Sequence, residues 1–528
     1  MHRREWLTRA TQQAAWLAWM SLFATNGPSR AQAQPWRATA EVFTLGVASG
    51  EPRPHSVVIW TRLAPAPLQA DGGMPDHAVA VRWEVATDDG FRQVVQRGTT
   101  ITDAKRAHSV HVEVAGLDSH RPYFYRFLVA DQVSPTGRTR TAPLPGANVQ
   151  RLRMALASCQ HFEMGHYAAH REIARSDVDL VLFVGDYLYL YEAKKPHRIR
   201  HHALTLDDAP SLTDFRVHHA SYKLDPDLRA AHAAHPWLLM WDDQEIRNDY
   251  DGGTNPDNDL DPAAFLALRQ RAWQAYFEHL PLSPRRAPST QGLPLLGDYR
   301  WGQLAHLWLL DTRQYRSPPP CTDLIHAPVG GRLLWNCAAM EAPQQSMLGQ
   351  TQERWLATQL ARSPATWQLL AQTTQVSPAP LPSLAGPLLY SDGWDAYPGA
   401  RQRLMDAMAH GQARNMVCLG GDVHRHVAAR LRRQVDQTDS PIVASEFVTS
   451  SITSKGLSEL LNDWIQRGNP DILHSRSDER GYALLDIRPD HMQCTFRATA
   501  HPVLAKASLY NQAKYVVTAG IPGPQRDG

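Results

Sequence analysis

Four short segments of this sequence place metal-ligand side chains directly after apolar runs. They are Ala157-Ser158-Cys159-Gln160-His161; Gly185-Asp186-Tyr187-Leu188-Tyr189, which follows Leu180-Val181-Leu182-Phe183-Val184; Trp241-Asp242-Asp243-Gln244-Glu245-Ile246-Arg247-Asn248-Asp249; and Gly420-Gly421-Asp422-Val423-His424-Arg425-His426. An unpaired carboxylate at the end of a buried strand is costly to desolvate, and a cation offsets that cost. An Asp at the tip of a central strand has one oxygen for each of two metals. Imidazole and thiolate suit a transition metal, whereas Asn and Asp oxygens suit a harder ion. Two cations about 3.5–4 Å apart are a standard device for phosphoester hydrolysis: they activate water, hold the phosphate and stabilise the in-line transition state.

Taken singly, each segment has an ordinary explanation. Gly185-Asp186 is a turn, Cys159 a small core residue, Tyr189 a core aromatic. Asp422-Val423-His424 is an ion pair at a strand end, and Asp242-Asp243 caps a turn. Four such segments at four strand ends make coincidence a poor account.

The elements that must position them alternate between apolar strands and helices. Strands are predicted over 153–157, 178–184, 238–241, 305–310, 367–371 and 416–419, with helices over 166–175 and 262–279. Continuous apolar strands are buried on both faces, which predicts an α/β fold, a layered α/β domain with polar clusters after the strands. Residues 36–148 read differently. Short alternating runs such as Val79-Ala80-Val81-Arg82-Trp83-Glu84-Val85 and Tyr123-Phe124-Tyr125-Arg126-Phe127, bounded by turn residues, predict a small N-terminal β-sandwich of immunoglobulin or fibronectin type, without a catalytic cluster. The linker Thr141-Ala142-Pro143-Leu144-Pro145-Gly146 separates it from the domain over 149–528.

Two stretches read as insertions. Residues 192–236 carry His197, His201, His202, His218, His219, His232 and His235 at irregular spacing, expected to be solvated. Residues 317–349, with three consecutive prolines and Gly330-Gly331, are expected to be a surface loop, and the tail from Leu509 to Gly528 an exposed helix.

The chain has 528 residues, 43% apolar and 20% charged, with 54 basic and 52 acidic groups for a net of +2. Residues 1–33 hold Arg3, Arg4, Arg9 and Arg30 against Glu5, a net of +3, which leaves the remainder near −1. That balance argues against nucleic-acid binding, which needs basic surfaces. The paired Arg3-Arg4, the short apolar run Ala14 to Ala24 and the small-x-small Ala31-Gln32-Ala33 read as a twin-arginine-type signal peptide over 1–33. The run is too short for the ~20 residues that span a bilayer, so a periplasmic or secreted protein handled by the twin-arginine machinery is expected. Of five cysteines, Cys321 and Cys337 suit a loop-closing disulfide, Cys418 and Cys494 suit buried thiols, and Cys159 stands apart.

With these segments in view, the sequence resembles the alkaline phosphatase D (PhoD-like) family of calcineurin-like metallophosphoesterases. The likeness rests on Ser158-Cys159-Gln160, Gly185-Asp186-Tyr187 with Tyr189, Gly421-Asp422-Val423-His424, Ser445-Glu446-Phe447-Val448 with Thr449-Ser450-Ser451-Ile452, and the N-terminal runs Phe43 to Gly50 and Val58-Ile59-Trp60-Thr61-Arg62. It implies that Cys159, Asp186, Tyr189 and His424 hold Fe3+, and that Asp186 bridges to Ca2+ held also by Asn248, Asp422 and Asp243. Asp186, Asn248 and His424 are then the catalytic set. It implies hydrolysis of phosphomonoesters, with phosphodiesters as a further expectation, by attack of a metal-activated hydroxide. Where the family reads Asp-Asp-His-Glu, this chain reads Asp242-Asp243-Gln244-Glu245. Gln244 can hydrogen-bond but cannot shuttle a proton as imidazole does, and His161 and His426 are the nearby imidazoles that could compensate. Two alternatives stand beside this reading: a phospholipase D-type phosphodiesterase on the same scaffold, and a non-catalytic envelope-binding protein with a degenerate site.

Overall fold

Two β-sheets stand face to face, and the polar segments leave from the ends of their parallel strands. The computed structural model describes residues 40–202, 209–254, 260–321, 325–326, 332–384, 386–410 and 414–528. The signal peptide expected over 1–33 and the Gly330-Gly331 pair lie outside them. In the first sheet, ten strands among the described residues, Leu152–Ala157, Leu180–Val184 and Pro236–Met240 are adjacent and parallel. Phe183 lies opposite Ala157 and Val184 opposite Met240, so all three strands end side by side. In the second sheet, Ala305–Leu309, Trp367–Ala371, Met416–Gly420 and Ile442–Val448 are likewise adjacent and parallel.

Alternation along these strands decides the layering. Leu156, Leu182, Val184 and Met240 face Leu309, Leu369, Val417 and Leu419 across a dry interior. Residues of opposite parity face outward: Phe183, Trp237 and Leu239 lie under helices Ala168–Arg175 and Pro262–His279, and Trp308, Leu370 and Cys418 under Gln350–Leu360 and Pro398–His410. The α/β class and layered arrangement expected from the sequence are therefore present. Helix Pro262–His279 spans the predicted residues because Asp261 accepts from the amides of Ala263 and Ala264 and Pro262 fills the first turn.

The N-terminal strands divide between two sheets. Val79–Ala86, Val94–Thr102, Pro122–Val129, Gln132–Val133 and Gly137–Arg140 make a separate antiparallel sheet. Val47–Gly50, Ser56–Arg62 and Ser109–Ala115 instead extend the ten-stranded sheet, with Ser49 opposite Pro236 and Gly50 opposite Trp237. Val57, Ile59 and Val114 pack against Val81, Val85, Tyr125 and Phe127 between the two layers.

Three expectations are corrected. The tail is not a helix: Tyr510–Thr518 and Ile521–Arg526 are antiparallel strands at the far edge of the ten-stranded sheet. The period is two, with Ala513, Tyr515 and Val517 buried in the inter-sheet core. The histidine-rich stretch is not uniformly solvated. His218, His219, His232 and His235 are buried: helices Leu212–Lys223 and Pro226–Ala234 pack the first three against rings, with His232 on Trp237 at 3.9 Å and His219 on His279 at 5.0 Å, and His235 Nε2 lies 2.9 Å from the Ile173 carbonyl. The 317–349 segment carries strand Ile325–His326, paired with Arg332–Trp335, which in turn pairs with Leu388–Tyr390, and is closed by a Cys321–Cys337 disulfide. Cys418 and Cys494 are buried free thiols. Among the described residues, no helix is long and apolar enough to cross a membrane.

Candidate metal centre

Several candidate ligands sit on tight turns that follow strands. Cys159, Asp186, Asp249, Asp422 and His424 have φ of 58°, 58°, 56°, 62° and 52°. Left-handed backbone at a non-glycine residue costs about 1–3 kcal/mol and survives only where surroundings over-determine it. Glycines make room for it: a Cβ on Gly185 would lie 2.6 Å from Asp242 Cβ, and one on Gly421 2.4 Å from Ser158 Oγ. The turns are laced together. The Cys159 amide donates to the Gly185 carbonyl (3.2 Å) and the Gln160 amide to that of Asp186 (3.1 Å). The Glu245 carboxylate accepts from the amides of Tyr187 (2.6 Å) and Asp242 (2.9 Å). Beneath Cys159, Ser454 Oγ donates to its carbonyl at 2.9 Å and the Ile452 amide to that of Ser158.

Cys159, Asp186 and His424 bring one ligand atom each within 4.8 Å of one another. Tyr189 joins them, its hydroxyl 2.9 Å from Asp186 Oδ2 and 3.1 Å from His424 Nε2. His424 Nδ1 lies 2.7 Å from the Lys455 carbonyl. That contact makes Nδ1 the donor and leaves the Nε2 lone pair pointing at the cluster, the usual arrangement of a ligating imidazole. Asp186, Asp242 and Asp243 form a second group sharing Asp186. Asn248 is exposed at the mouth, and its Oδ1 accepts from Gln244 Nε2 at 2.7 Å. The same Nε2 is 3.2 Å from Asp243 Oδ2. Asp422 accepts from Thr374 Oγ1 at 2.5 Å.

The electrostatics favour a cation. Burial, then the neighbouring Asp243 and Asp242, push the Asp186 carboxyl well above its usual range. Burial followed by the charge of Asp186 raises both Cys159 and Tyr189. Burial, then Asp242, raises Asp422, and burial, then Arg480, lowers His424 to about 3. Asp242 Oδ2 and Asp249 Oδ2 are buried and meet no hydrogen-bond partner among the described residues. A thiol, a phenol and clustered carboxylates held protonated by burial fit cations that would ionise them, and a neutral imidazole fits as a lone-pair ligand beside them.

All the residues singled out from the sequence as ligands therefore converge on one cluster. The compensating imidazoles do not both join them. His426 is buried between the sheets, 4.6 Å from the Phe496 ring, with Nδ1 accepting from the Ser450 amide, so it is neither solvated nor at the site. His161 is buried against Tyr189, ring centres 4.7 Å apart. Asp249, which the sequence offers only as the end of the third segment, and Asp392, which sequence reasoning missed, group with Asp243, and arginines also missed hold Asp392. Arg313 donates to both oxygens of Asp392 (2.7 and 2.6 Å) and to Asp242, and Arg316 also donates to Asp392. Asp311-Thr312-Arg313 follows the apolar strand Ala305–Leu309, the same signature as the other four segments.

Known proteins match this chain over most of its extent. A profile described as PhoD-like phosphatase matches residues 154–496, and one described as PhoD-like phosphatase, N-terminal domain, matches residues 29–143. Alkaline phosphatase D of Bacillus subtilis (strain 168) is 39% identical over 481 residues, covering 90% of this chain and 80% of that protein. A solved structure described as the structure of PhoD is 37% identical, covers 93% of each chain and superposes with a TM-score of 0.87.

Proposed function

This chain belongs to the PhoD-like phosphatase family and is a phosphatase, and from that premise we propose an exported enzyme that hydrolyses phosphomonoesters and phosphodiesters at a site for Fe3+ and Ca2+. Cys159, Asp186, Tyr189 and His424 hold the iron; Asp186, Asp243, Asn248 and Asp422 hold the calcium. Asp186, Asn248 and His424 are the catalytic set. The observation that carries the reading is the meeting of Cys159, Asp186 and His424 with the Tyr189 hydroxyl. Thiolate and phenolate oxygen suit a ferric ion, and amide and carboxylate oxygens suit calcium. Family membership sets aside the non-catalytic alternative.

Bound there, the cations supply electrophilic charge for the phosphoryl oxygens and acidify water. The chain supplies the rest. Lys455 fixes the His424 tautomer through its carbonyl, and Glu245 ties the Tyr187 turn to that of Asp242. Thr374 aims Asp422, and Gln244 holds Asn248 and Asp243 together. Gln244 thus orients its neighbours as an imidazole could, without an imidazole's proton chemistry.

The division of the chain that goes with this reading is a signal peptide over 1–33, a β-sandwich over 36–148 and a catalytic domain over 149–528. The paired arginines support export by the twin-arginine machinery to the periplasm or beyond. Elemental analysis of purified protein, run beside a monoester, a diester and a phospholipid, tests the assignment. Iron and calcium with turnover of the first two are expected. Full activity in iron-free protein overturns the metal assignment, and preference for the phospholipid overturns the substrate class.

A further inference from the structure

Helix Ala168–Arg175 covers the outer face of the ten-stranded sheet only as far as its own C-terminal end. Past that end lies a groove of about 390 Å3, open to solvent and lined by none of the candidate metal ligands. Its floor is a cross-strand row. Leu484 lies opposite Thr495, and Thr495 opposite Lys514. Neighbours of opposite parity, Cys494 and Tyr515, pack in the inter-sheet core, so strand alternation turns Thr495 and Lys514 outward.

One wall is already neutral and rigid. Arg497 donates to both oxygens of Glu172 at 2.8 Å and to the Leu509 carbonyl at 3.0 Å, and Tyr482 donates to Glu172 at 2.9 Å. Ser176 donates to the Ile173 carbonyl at 2.8 Å, Gln493 to Asp527 at 2.9 Å, and Asn511 accepts from Arg497, which leaves three polar residues of the lining uncommitted. Arg175 and Lys514 make no ion pair among the described residues, and the Thr495 hydroxyl has no hydrogen-bond partner there although the residue is only 7% exposed. Two unpaired cations and a free hydroxyl therefore face one void.

Such a set matches a doubly charged tetrahedral oxyanion. A guanidinium fork, a point-like ammonium and a hydroxyl can each take a different oxygen of a phosphate, whereas a carboxylate presents two oxygens in one plane. The volume lies within the roughly 300–1,000 Å3 of small-ligand pockets, and Leu484 gives an apolar patch for the body of an ester. We propose that this groove is a second, non-catalytic site for a phosphate-bearing anion, with Arg175, Lys514 and Thr495 as its contacts. The site is independent of the metal assignment above. It is nevertheless joined to the Cys159 turn by a single element: His170 Nε2 is 2.7 Å from Gln160 Oε1 and the Tyr167 hydroxyl donates to the Gln160 carbonyl at 2.8 Å. The helix, about 12 Å long at 1.5 Å per residue, runs from there to the groove.

Equilibrium dialysis of the full-length, metal-loaded protein tests this, with radiolabelled orthophosphate and with a non-hydrolysable phosphonate as separate probes. Wild type is compared with the R175E/K514E double variant and with T495V, which keeps the charge. The expected result is one fewer anion bound per double-variant chain, while kcat/KM and the inhibition of turnover by phosphate stay unchanged. T495V should bind about tenfold more weakly at that site, the loss of one hydrogen bond to a charged group. A response to orthophosphate alone identifies the reaction product as the occupant, and a response to the phosphonate alone identifies an ester; either supports the site. Equal stoichiometry in wild type and double variant overturns it. So does displacement by citrate as effective as by the phosphonate, which would mean a general anion patch.

Discussion

Asp186 and Asp392 are both buried carboxylates grouped with Asp243, yet the fold treats them in opposite ways. Burial alone would raise Asp392, but Arg313 and Arg316 outweigh it and hold the carboxyl below its usual range. Asp186 has no such arginine. Burial, then Asp243 and Asp242, drive it far up, and its other neighbours are a thiol, a phenol and an imidazole. One acidic group is completed by the chain; the other is completed only by something added to it. Burial and acidity are common to both, so neither property by itself marks a functional site. The sign of the partner does.

The largest effect should come from the incomplete side. Replacing Cys159 with Ala should take phosphatase activity to background and lower bound iron, with an unchanged circular dichroism spectrum. Retained activity and iron would place the metal elsewhere. On the completed side the cost should fall on stability instead. Arg313→Ala strands Asp242 and leaves Asp392 with Arg316 alone, and should cost about 3–5 kcal/mol, read as a lower urea midpoint; a shift below about 1 kcal/mol would mean the network is not closed as described.

The third prediction turns on protons. Burial raises Asp242 to about 7 and Glu245 to about 8. Folded, metal-free protein therefore holds more protons than unfolded chain between the ordinary carboxylate range near pH 4 and about pH 8. Its stability should fall as pH rises through that window, and calorimetry of chelated protein should show a falling Tm. Protein loaded with cations keeps these carboxylates ionised and should not follow that slope. A parallel decline in both forms would erase the contrast. The smallest effect belongs to Gln244. Gln244→Ala removes the tie between Asp243 and Asn248 and should cost about 10–100-fold in activity or calcium affinity, the range for an outer partner of a ligand. Gln244→His should restore most of it in a chelator titration.

Much of the site is legible in the amino-acid sequence. Each strand-end segment announces itself because a desolvated acid or thiol after an apolar run needs a reason, and that reason is local. Asp392 and Arg316 carry no such signal: their roles arise from contacts between segments far apart in sequence. The histidines of helix Leu212–Lys223 depart from expectation because a polar side chain need not be exposed, and aromatic partners bury these as neutral rings. Burial, the first cause, lowers His218 to about 4. The tail departs because its alternation is short and interrupted, and only the neighbouring strand His491–Ala500 makes it a strand.

The two edges of the ten-stranded sheet are built from segments some four hundred residues apart in the sequence, Ser109–Ala115 and Ile521–Arg526. Strands from before residue 116 close one side through Ser49 and Pro236, and residues 510–526 close the other. During synthesis the first strands must wait for a partner made much later, and this edge is covered only once residues 510–526 have been made. Until then His491–Ala500 presents an open row of amides and carbonyls, the kind of edge on which other chains assemble. A truncation at residue 509, which removes none of the candidate ligands, should therefore be felt first as aggregation during production.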